Sequence, residues 1–295
     1  MEPDTAPDPF IEHRGLLFTI AYELLGTAVD AEDVLQESWL RWAAVDRATV
    51  RDPRAYLIRI VTRQALNLRR TLARRREDYT GPWLPEPVLT SPDVADDVEL
   101  AESVSIAMLT VLETLGPAER AVFVLREVFD VPYDEIADAV GKSSTAVRQI
   151  AHRAKKHVTA RVPRMPVGPS EHERAVATLV AALNNGDVQG LMDILAPDVV
   201  AVADSGGKVR GAARRPVVGA ERLTRWLDGG LAKAAGAVSA RVTRVNGLPG
   251  VRIEIDGLLV AVVVPTVVDG RITKIYSIAN PDKLHRLDDE VTFLR

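Results

Sequence analysis

Residues 133–157, YDEIADAVGKSSTAVRQIAHRAKKH, constrain this chain more than any other stretch. They predict a helix, a tight turn and a second helix with a basic end. Ile136, Ala137 and Val140 recur at helical spacing. Gly141 falls where a helix must end in a left-handed residue, and Ser143 or Ser144 is placed to cap the second helix. Counted from Tyr133, Ala137, Gly141 and Val147 take the fifth, ninth and fifteenth places. Those are the small, turning and buried positions of a helix-turn-helix, whose two helices approach closely at a steep angle. The second helix offers Ser144, Thr145, Arg148, Gln149, His152 and Arg153 outward. Arg pairs with guanine, Gln with adenine, and Ser or Thr with a base edge or a phosphate. Lys155 and Lys156 suit phosphate contact. From Lys142 to Arg164 there are seven Lys or Arg and no acid, which makes this end a polyanion-attracting surface. An ordinary helical hairpin with a solvated basic face would share part of this pattern; spacing and charge together favour DNA.

A net charge of −4 over 295 residues is unusual for nucleic-acid binding, but distribution matters more than the sum. Residues 51–76 carry nine Arg against one Asp, whereas residues 86–102 carry six acids and no base. Two basic blocks on either side of an acidic stretch imply two DNA-contacting modules. There is no cysteine, which excludes disulfides, thiol nucleophiles and thiolate metal sites. The amino terminus, MEPDTAPDPF, lacks the basic and apolar blocks of a signal peptide, and VAVVVP at 260–265 is strand length rather than a membrane span. A soluble, cytoplasmic protein is expected.

Residues 10–77 are helical in pattern. Wound as a helix opened by Asp30, the run VDAEDVLQESWLRW puts Ala31, Leu35, Ser38, Trp39 and Trp42 on one broad face, assigned to the core. The opposite face holds Asp33, Gln36, Glu37 and Leu40. A Leu amid acidic residues suits a protein-docking face, although one exposed Leu needs no explanation by itself. Next comes a helix from Arg54 to Arg76, with Leu57, Ile60, Val61, Ala65, Leu68 and Leu72 as its buried stripe. Its polar face shows Arg54, Arg59, Arg63, Asn67, Arg70 and Arg74, a one-sided arginine stripe that favours a polyanion.

Residues 78–100 are rich in Pro and turn formers and read as a linker, yet Trp83, Leu84, Pro85, Glu86 and Pro87 include a Trp that is better docked than solvated. Residues 101–130 supply two helices, the first ending near Gly116-Pro117, that pack beneath the helix-turn-helix. After a second linker, an amphipathic helix at 171–184 and a short helix to Leu195 lead into the strand VVAVAD. A helix at 219–235 and four strand-like segments with Asn-Gly and Asp-Gly turns complete an α+β domain built on an antiparallel sheet. Asp204, Asp256, Asp269, His172 and His285 form no acid–base constellation. No phosphate loop or metal-ligand cluster stands in the sequence, so no cofactor and no enzymatic activity are expected.

The run DAEDVLQESWLRW resembles the core-polymerase-binding helix of region two in bacterial extracytoplasmic-function sigma factors. The block LGPAERAVFVLREVFDVPYDEIADAVGKSSTAVRQIAHRAKK resembles their region four. The Arg-rich helix between them is similar to the segment that meets the −10 promoter element. WLPEP, DSGGK at 204–208 and NPDK at 280–283 resemble three signatures of the subgroup with a SnoaL-like C-terminal extension. One departure is Ile150 in the recognition helix, where the wider family carries a basic residue.

The resemblance implies a multidomain chain: two all-α sigma domains, region 2 at 8–77 and region 4 at 101–162, and an α+β SnoaL-like, NTF2-like cone at 171–288. The linkers are 78–100 and 163–170. It implies that Asp33, Gln36, Glu37 and Leu40 meet the β′ clamp helices of core RNA polymerase, with β as a further partner. By the same resemblance, Arg54, Arg59, Arg63, Asn67 and Arg70 meet the −10 element. The outward residues of the second helix, Ser144 to Arg153 with Lys155 and Lys156, meet the −35 element. An interdomain regulatory set is expected where Asp204, Gly206, Gly207, Asn280, Pro281, Asp282 and Lys283 meet the WLPEP tether. A small ligand can occupy the cone's pocket. One rival reading is a helix-turn-helix regulator with a ligand-sensing domain, which would have no use for a polymerase-binding helix; another is a cyclase-like enzyme fused to a DNA-binding module.

Overall fold

The computed structural model describes residues 8–90, 98–162, 169–231, 236–287 and 290–294. The chain forms two compact units. One combines the segment up to Glu77 with Val111–Arg161 and the last residues from Thr292; the other combines Asp78–Thr110 with Val162–Val291.

The first unit is helical. Asp8 caps α1 (Pro9–Glu12) by accepting from Phe10 N, and α2 (Arg14–Leu25) is buried along nearly its whole length. Gly26, with φ of +79°, ends α2 in the left-handed conformation that glycine adopts without steric cost. Helices α3 (Ala28–Ala43) and α4 (Pro53–Glu77) close around it, with Leu17, Ile20, Trp42, Leu57 and Val61 at the centre. The buried arc of α4 is wider than the predicted stripe. Leu57, Val61 and Ala65 are buried as expected, but Ile58, Thr62 and Leu66 are buried too, while Ile60, Leu68 and Leu72 are half-exposed. The reason is that α4 packs on α2 and α3 and also on α7 (Pro117–Phe123) and α8 (Tyr133–Val140). A helix gripped by several neighbours buries more than one stripe.

In the helix-turn-helix, Gly141 (φ +67°) turns the chain out of α8. Ser143, not Ser144, caps α9 (Ser144–Thr159) by accepting from Ala146 N. Between α7 and α8 the helix continues as a π segment, Val124–Val128.

The second unit is a mixed sheet in the order β3-β2-β7-β6-β5-β4-β1-β8. Its strands are β1 (Leu89–Thr90), β2 (Leu195–Asp204), β3 (Val217–Val218), β4 (Val238–Val245), β5 (Leu248–Ile255), β6 (Leu258–Val268), β7 (Arg271–Ile278) and β8 (Glu290–Val291). The expected hairpin turns are present. Asn246-Gly247, Asp256-Gly257 and Asp269-Gly270 all have positive φ at both residues, the requirement of the tight turn that matches strand twist. The sheet is not purely antiparallel, because β2 runs parallel to β7 and β1 parallel to β8.

The pleat sends alternate residues to opposite faces. On one face α10 (Pro169–Asn185), α11 (Val188–Ile194) and α12 (Ala220–Leu231) pack over Ala201, Val251, Val263 and Ile275. On the other, Val245, Val262, Val264, Tyr276 and Ile278 receive Leu84 and Ile106 from the segment between the sigma-like blocks. Helices over one face of a mixed sheet give the α+β architecture that the sequence resemblance implies. The stretch read as a linker is therefore largely built into this unit: Leu84 to Val88 are buried, β1 joins the sheet, and α5 (Val98–Ser103) and the start of α6 (Ile106–Leu112) belong with it. Residues 91–97 and the linker residues 163–168 lie outside the described residues.

His172, near the start of α10, is buried, and its Nε2 has no hydrogen-bond partner among the described residues. Burial lowers its pKa from the ordinary histidine value, outweighing a hydrogen bond with Pro265 and the charge of Glu173. The folded chain thus holds it neutral to a lower pH than the unfolded chain, which takes up a proton as pH falls below about 6.5. Stability from this group is complete above that range and declines as pH falls through it. Thermal melts from about pH 7.5 to about pH 5.5 are expected to show a falling Tm, with a shallower slope for His172→Phe. Identical slopes in both proteins would contradict this.

Candidate functional site

Three exposed helix faces and one buried cluster carry the candidate residues. On α3, Asp33, Gln36, Glu37 and Leu40 are all exposed, Leu40 at 64%. Trp39 does not belong to the core face as expected. It is 36% exposed and rests edge-on against Phe10, with ring centroids 5.2 Å apart. Ala31, Leu35, Ser38 and Trp42 are buried, so a Trp and a Leu stand side by side at the margin of the acidic face. Glu37 pairs with Arg41 one turn on, at 3.1 Å.

On α4, Arg63, Asn67 and Arg70 are exposed and Arg54 and Arg59 half-exposed. Arg59 lies over the Tyr56 ring at 4.9 Å, and Arg70 donates to Asn67 Oδ1. Arg63 donates through Nη2 to the carbonyl of Asp138 on α8, at 2.6 Å. A cleft of about 380 Å³ beside this contact is lined by Arg51, Asp52, Tyr56 and Arg59 from the α4 side and by Glu135 and Asp138 from α8. Burial, and next the charge of Asp52, raise the Glu135 pKa from its ordinary value.

On α9, Thr145, Arg148, Gln149, His152, Arg153, Lys155 and Lys156 are exposed and Ser144 half-exposed. Ile150 is buried with Val147, Ala151 and Ala154. Ile150 thus belongs to the buried face of α9 rather than to its exposed polar face. Lys155 is ion-paired with Glu127 at 2.7 Å, so one of the two phosphate candidates has part of its charge answered within the protein. Arg148 stacks over Tyr133 at 5.4 Å, which holds its stem against α8.

The WLPEP, DSGGK and NPDK motifs meet within the second unit. Asp204, completely buried at the end of β2, accepts four hydrogen bonds: from Tyr79 Oη and Gly206 N at Oδ1, and from Leu84 N (2.8 Å) and Lys283 Nζ (2.7 Å) at Oδ2. Lys283 also donates to the Leu84 carbonyl and lies 4.1 Å above the Trp83 ring. Its ammonium is thus answered by a carboxylate, a carbonyl and a π face. Asn280 donates to Tyr79 Oη at 2.7 Å and caps α13 (Pro281–Leu284) by accepting from Asp282 N. Lys208 and Asp282 close the outer edge as an exposed ion pair. Burial, then the hydrogen bond to Asp204, push the Tyr79 pKa above its usual value, so the phenol remains a donor.

Both glycines of DSGGK are sterically required. Gly206 and Gly207 have positive φ, and a Cβ on them would come within 2.7 Å of Asn280 and 2.9 Å of Thr80 respectively. Pro85, Glu86 and Pro87 are buried in the same segment. Sequence reasoning missed Tyr79 and the second anchor, Asn246. That side chain accepts from Val88 N and donates to the Val104 carbonyl, while Gly247 N donates to Thr90 Oγ1. The Asn-Gly pair was legible as a turn, but nothing local marks its Asn as a clamp.

Residues 10–75 match the family Sigma-70 region 2, and residues 105–158 match Sigma-70, region 4. The chain is 39% identical over 287 residues to the ECF RNA polymerase sigma factor SigJ of Mycobacterium tuberculosis, covering 92% of this chain and 90% of that protein. It is 32% identical over 284 residues to a probable ECF sigma factor, SigI, of the same organism, covering 95% and 94%. The crystal structure of M. tuberculosis SigJ is similar with a TM-score of 0.74 at 36% identity, over 94% of this chain and 98% of that one. No helix among the described residues is long and apolar enough to cross a membrane. Two sigma regions in order, followed by an α+β domain and matched along nearly their whole length by such relatives, place this chain among the extracytoplasmic-function sigma factors, which bind core RNA polymerase and promoter DNA to direct transcription initiation.

Proposed function

We propose that the chain works through the named faces and that its SnoaL-like domain governs when they can act together. In this reading Asp33, Gln36, Glu37 and Leu40 dock on the β′ clamp helices. Arg54, Arg59, Arg63, Asn67 and Arg70 hold the −10 element, capturing flipped bases and the strand backbone. Ser144, Thr145, Arg148, Gln149, His152 and Arg153 enter the −35 major groove, while Lys155 and Lys156 hold phosphate. The chemistry belongs to the polymerase; the sigma chain positions it.

One observation supports a restrained starting state: the 2.6 Å bond from Arg63 to the Asp138 carbonyl. Elements about 25 base pairs apart lie about 85 Å apart along B-DNA, at about 3.4 Å per pair. Two reading surfaces joined by a hydrogen bond cannot span that length, so α8 must leave α4 before both elements are read. The connection between them runs through residues 78–110, which the Asp204–Lys283 and Asn246 clamps hold in the second unit. Release of that tether sets the reach, and a covalently attached domain does this at high effective concentration without a separate partner.

The chain has no cysteine, so spin labels on cysteines introduced at the exposed positions Ala73 and Thr159 report this opening directly. Their separation is expected to lengthen by tens of ångströms when core polymerase and promoter are added, in parallel with run-off transcription. Active transcription at an unchanged separation would sink the opening. In the same assay, Leu40→Asp is expected to weaken core association by at least about tenfold. Arg148→Ala with Gln149→Ala should remove promoter selectivity and leave core association intact, since base contacts specify.

A further inference from the structure

The helical face of the SnoaL-like sheet is not filled. A cavity of about 860 Å³ lies between α12 and the strands, well within the range that encloses drug-sized ligands. Its cause is visible in the register. Ala203 on β2 pairs with Ser277 on β7, and Ala261 on β6 pairs with Ile253 on β5. Small side chains thus stand in neighbouring strands on one face, where the lower core has Val199, Leu195 and Ile272. Trp226 and Leu227 of α12 form the opposite wall. Water would find few partners in such a space.

The wall's chemistry is one-sided. Among the described lining residues there is no Asp, Glu, His, Lys or Tyr; the charged groups are Arg210, Arg222 and Arg225. All three are exposed, and none forms an ion pair among the described residues. Guanidinium groups do not give up a proton at physiological pH, so the described lining offers no acid–base pair. It can, however, seat a planar anion through a forked pair of hydrogen bonds beside an apolar chamber.

We propose that this cavity is a binding site for an amphipathic carboxylate: a long-chain or polycyclic hydrocarbon with its body against Ala203, Ala261 and Trp226 and its carboxylate on the arginine rim. The inference is independent of the polymerase and promoter assignments, and its test uses the full chain without polymerase or DNA. Dodecanoate and dodecanol, below their aggregation concentrations, are titrated calorimetrically and by displacement of anilinonaphthalene sulfonate. One dodecanoate per chain is expected to bind saturably, about tenfold tighter than dodecanol. Ala261→Phe, which fills the chamber, is expected to weaken both by at least about twentyfold at an unchanged Tm. Ala203→Leu serves the same purpose should the larger side chain disturb folding. Arg222→Gln with Arg225→Gln is expected to erase the preference for the carboxylate and spare dodecanol. Absence of saturable binding, equal affinity for acid and alcohol, or full binding by both filled variants would overturn the proposal.

Discussion

Lys283→Met is expected to destabilise the C-terminal unit by about 3–5 kcal/mol, the usual cost of leaving one member of a buried ion pair without its partner. The side chains concerned are almost wholly enclosed, Lys283 at 9% and Asp204 at 0% exposure, so solvent does not rescue the stranded carboxylate. The substitution also removes the donor to the Leu84 carbonyl and the cation above Trp83. The effect should appear as a lower midpoint in urea unfolding and as earlier protease cleavage between residues 78 and 90. Adding Asp204→Asn removes the orphaned charge and should recover a substantial part of the loss. A single variant within about 0.5 kcal/mol of the parent would show that the pair does not hold the tether.

Arg120→Met should be comparably severe in the helical unit, again by about 3–5 kcal/mol. Arg120 is completely buried on α7, donates to the Glu23 carbonyl of α2 at 2.6 Å and is ion-paired with Glu113. Glu113 also receives Arg69 of α4, which in turn donates to the Leu24 carbonyl. One carboxylate therefore joins α2, α4 and α7. Glu32→Ala provides the contrast: its pair with Arg14 is solvent-exposed, and such pairs contribute below about 1 kcal/mol. Circular-dichroism melts of both variants should separate them clearly, and equal losses would mean that the buried cluster adds nothing beyond a surface pair.

What could be read in advance was local. The left-handed Gly141, the Asn-Gly and Asp-Gly hairpins and the exposed face of α3 arise from residue chemistry within a few positions, and they occur where that chemistry puts them. The exposed polar and basic face of α9 was legible for the same reason. The features that escaped depended on distant partners. Prolines and acids make residues 78–100 look like a free tether, yet Leu84 meets Asp204 from 120 positions away and Asn246 meets Val88 from 158. Arg120 reads as a surface residue until Glu23 and Glu113 are found around it. Trp39 fits the apolar period of α3, but the core behind it is already occupied by Trp42 and Phe10.

The short strand β1 has a practical consequence for anyone who shortens this chain. It lies between β4 and β8 and so depends on strands contributed by the last third of the protein. A fragment that stops before residue 163 would lose every strand that covers Leu84 and Ile106, and would leave those oily side chains and a bare backbone edge in water. Such a fragment would differ from the parent in cohesion as well as in length. Point variants in the intact polypeptide are therefore the cleaner way to ask what the appended domain does.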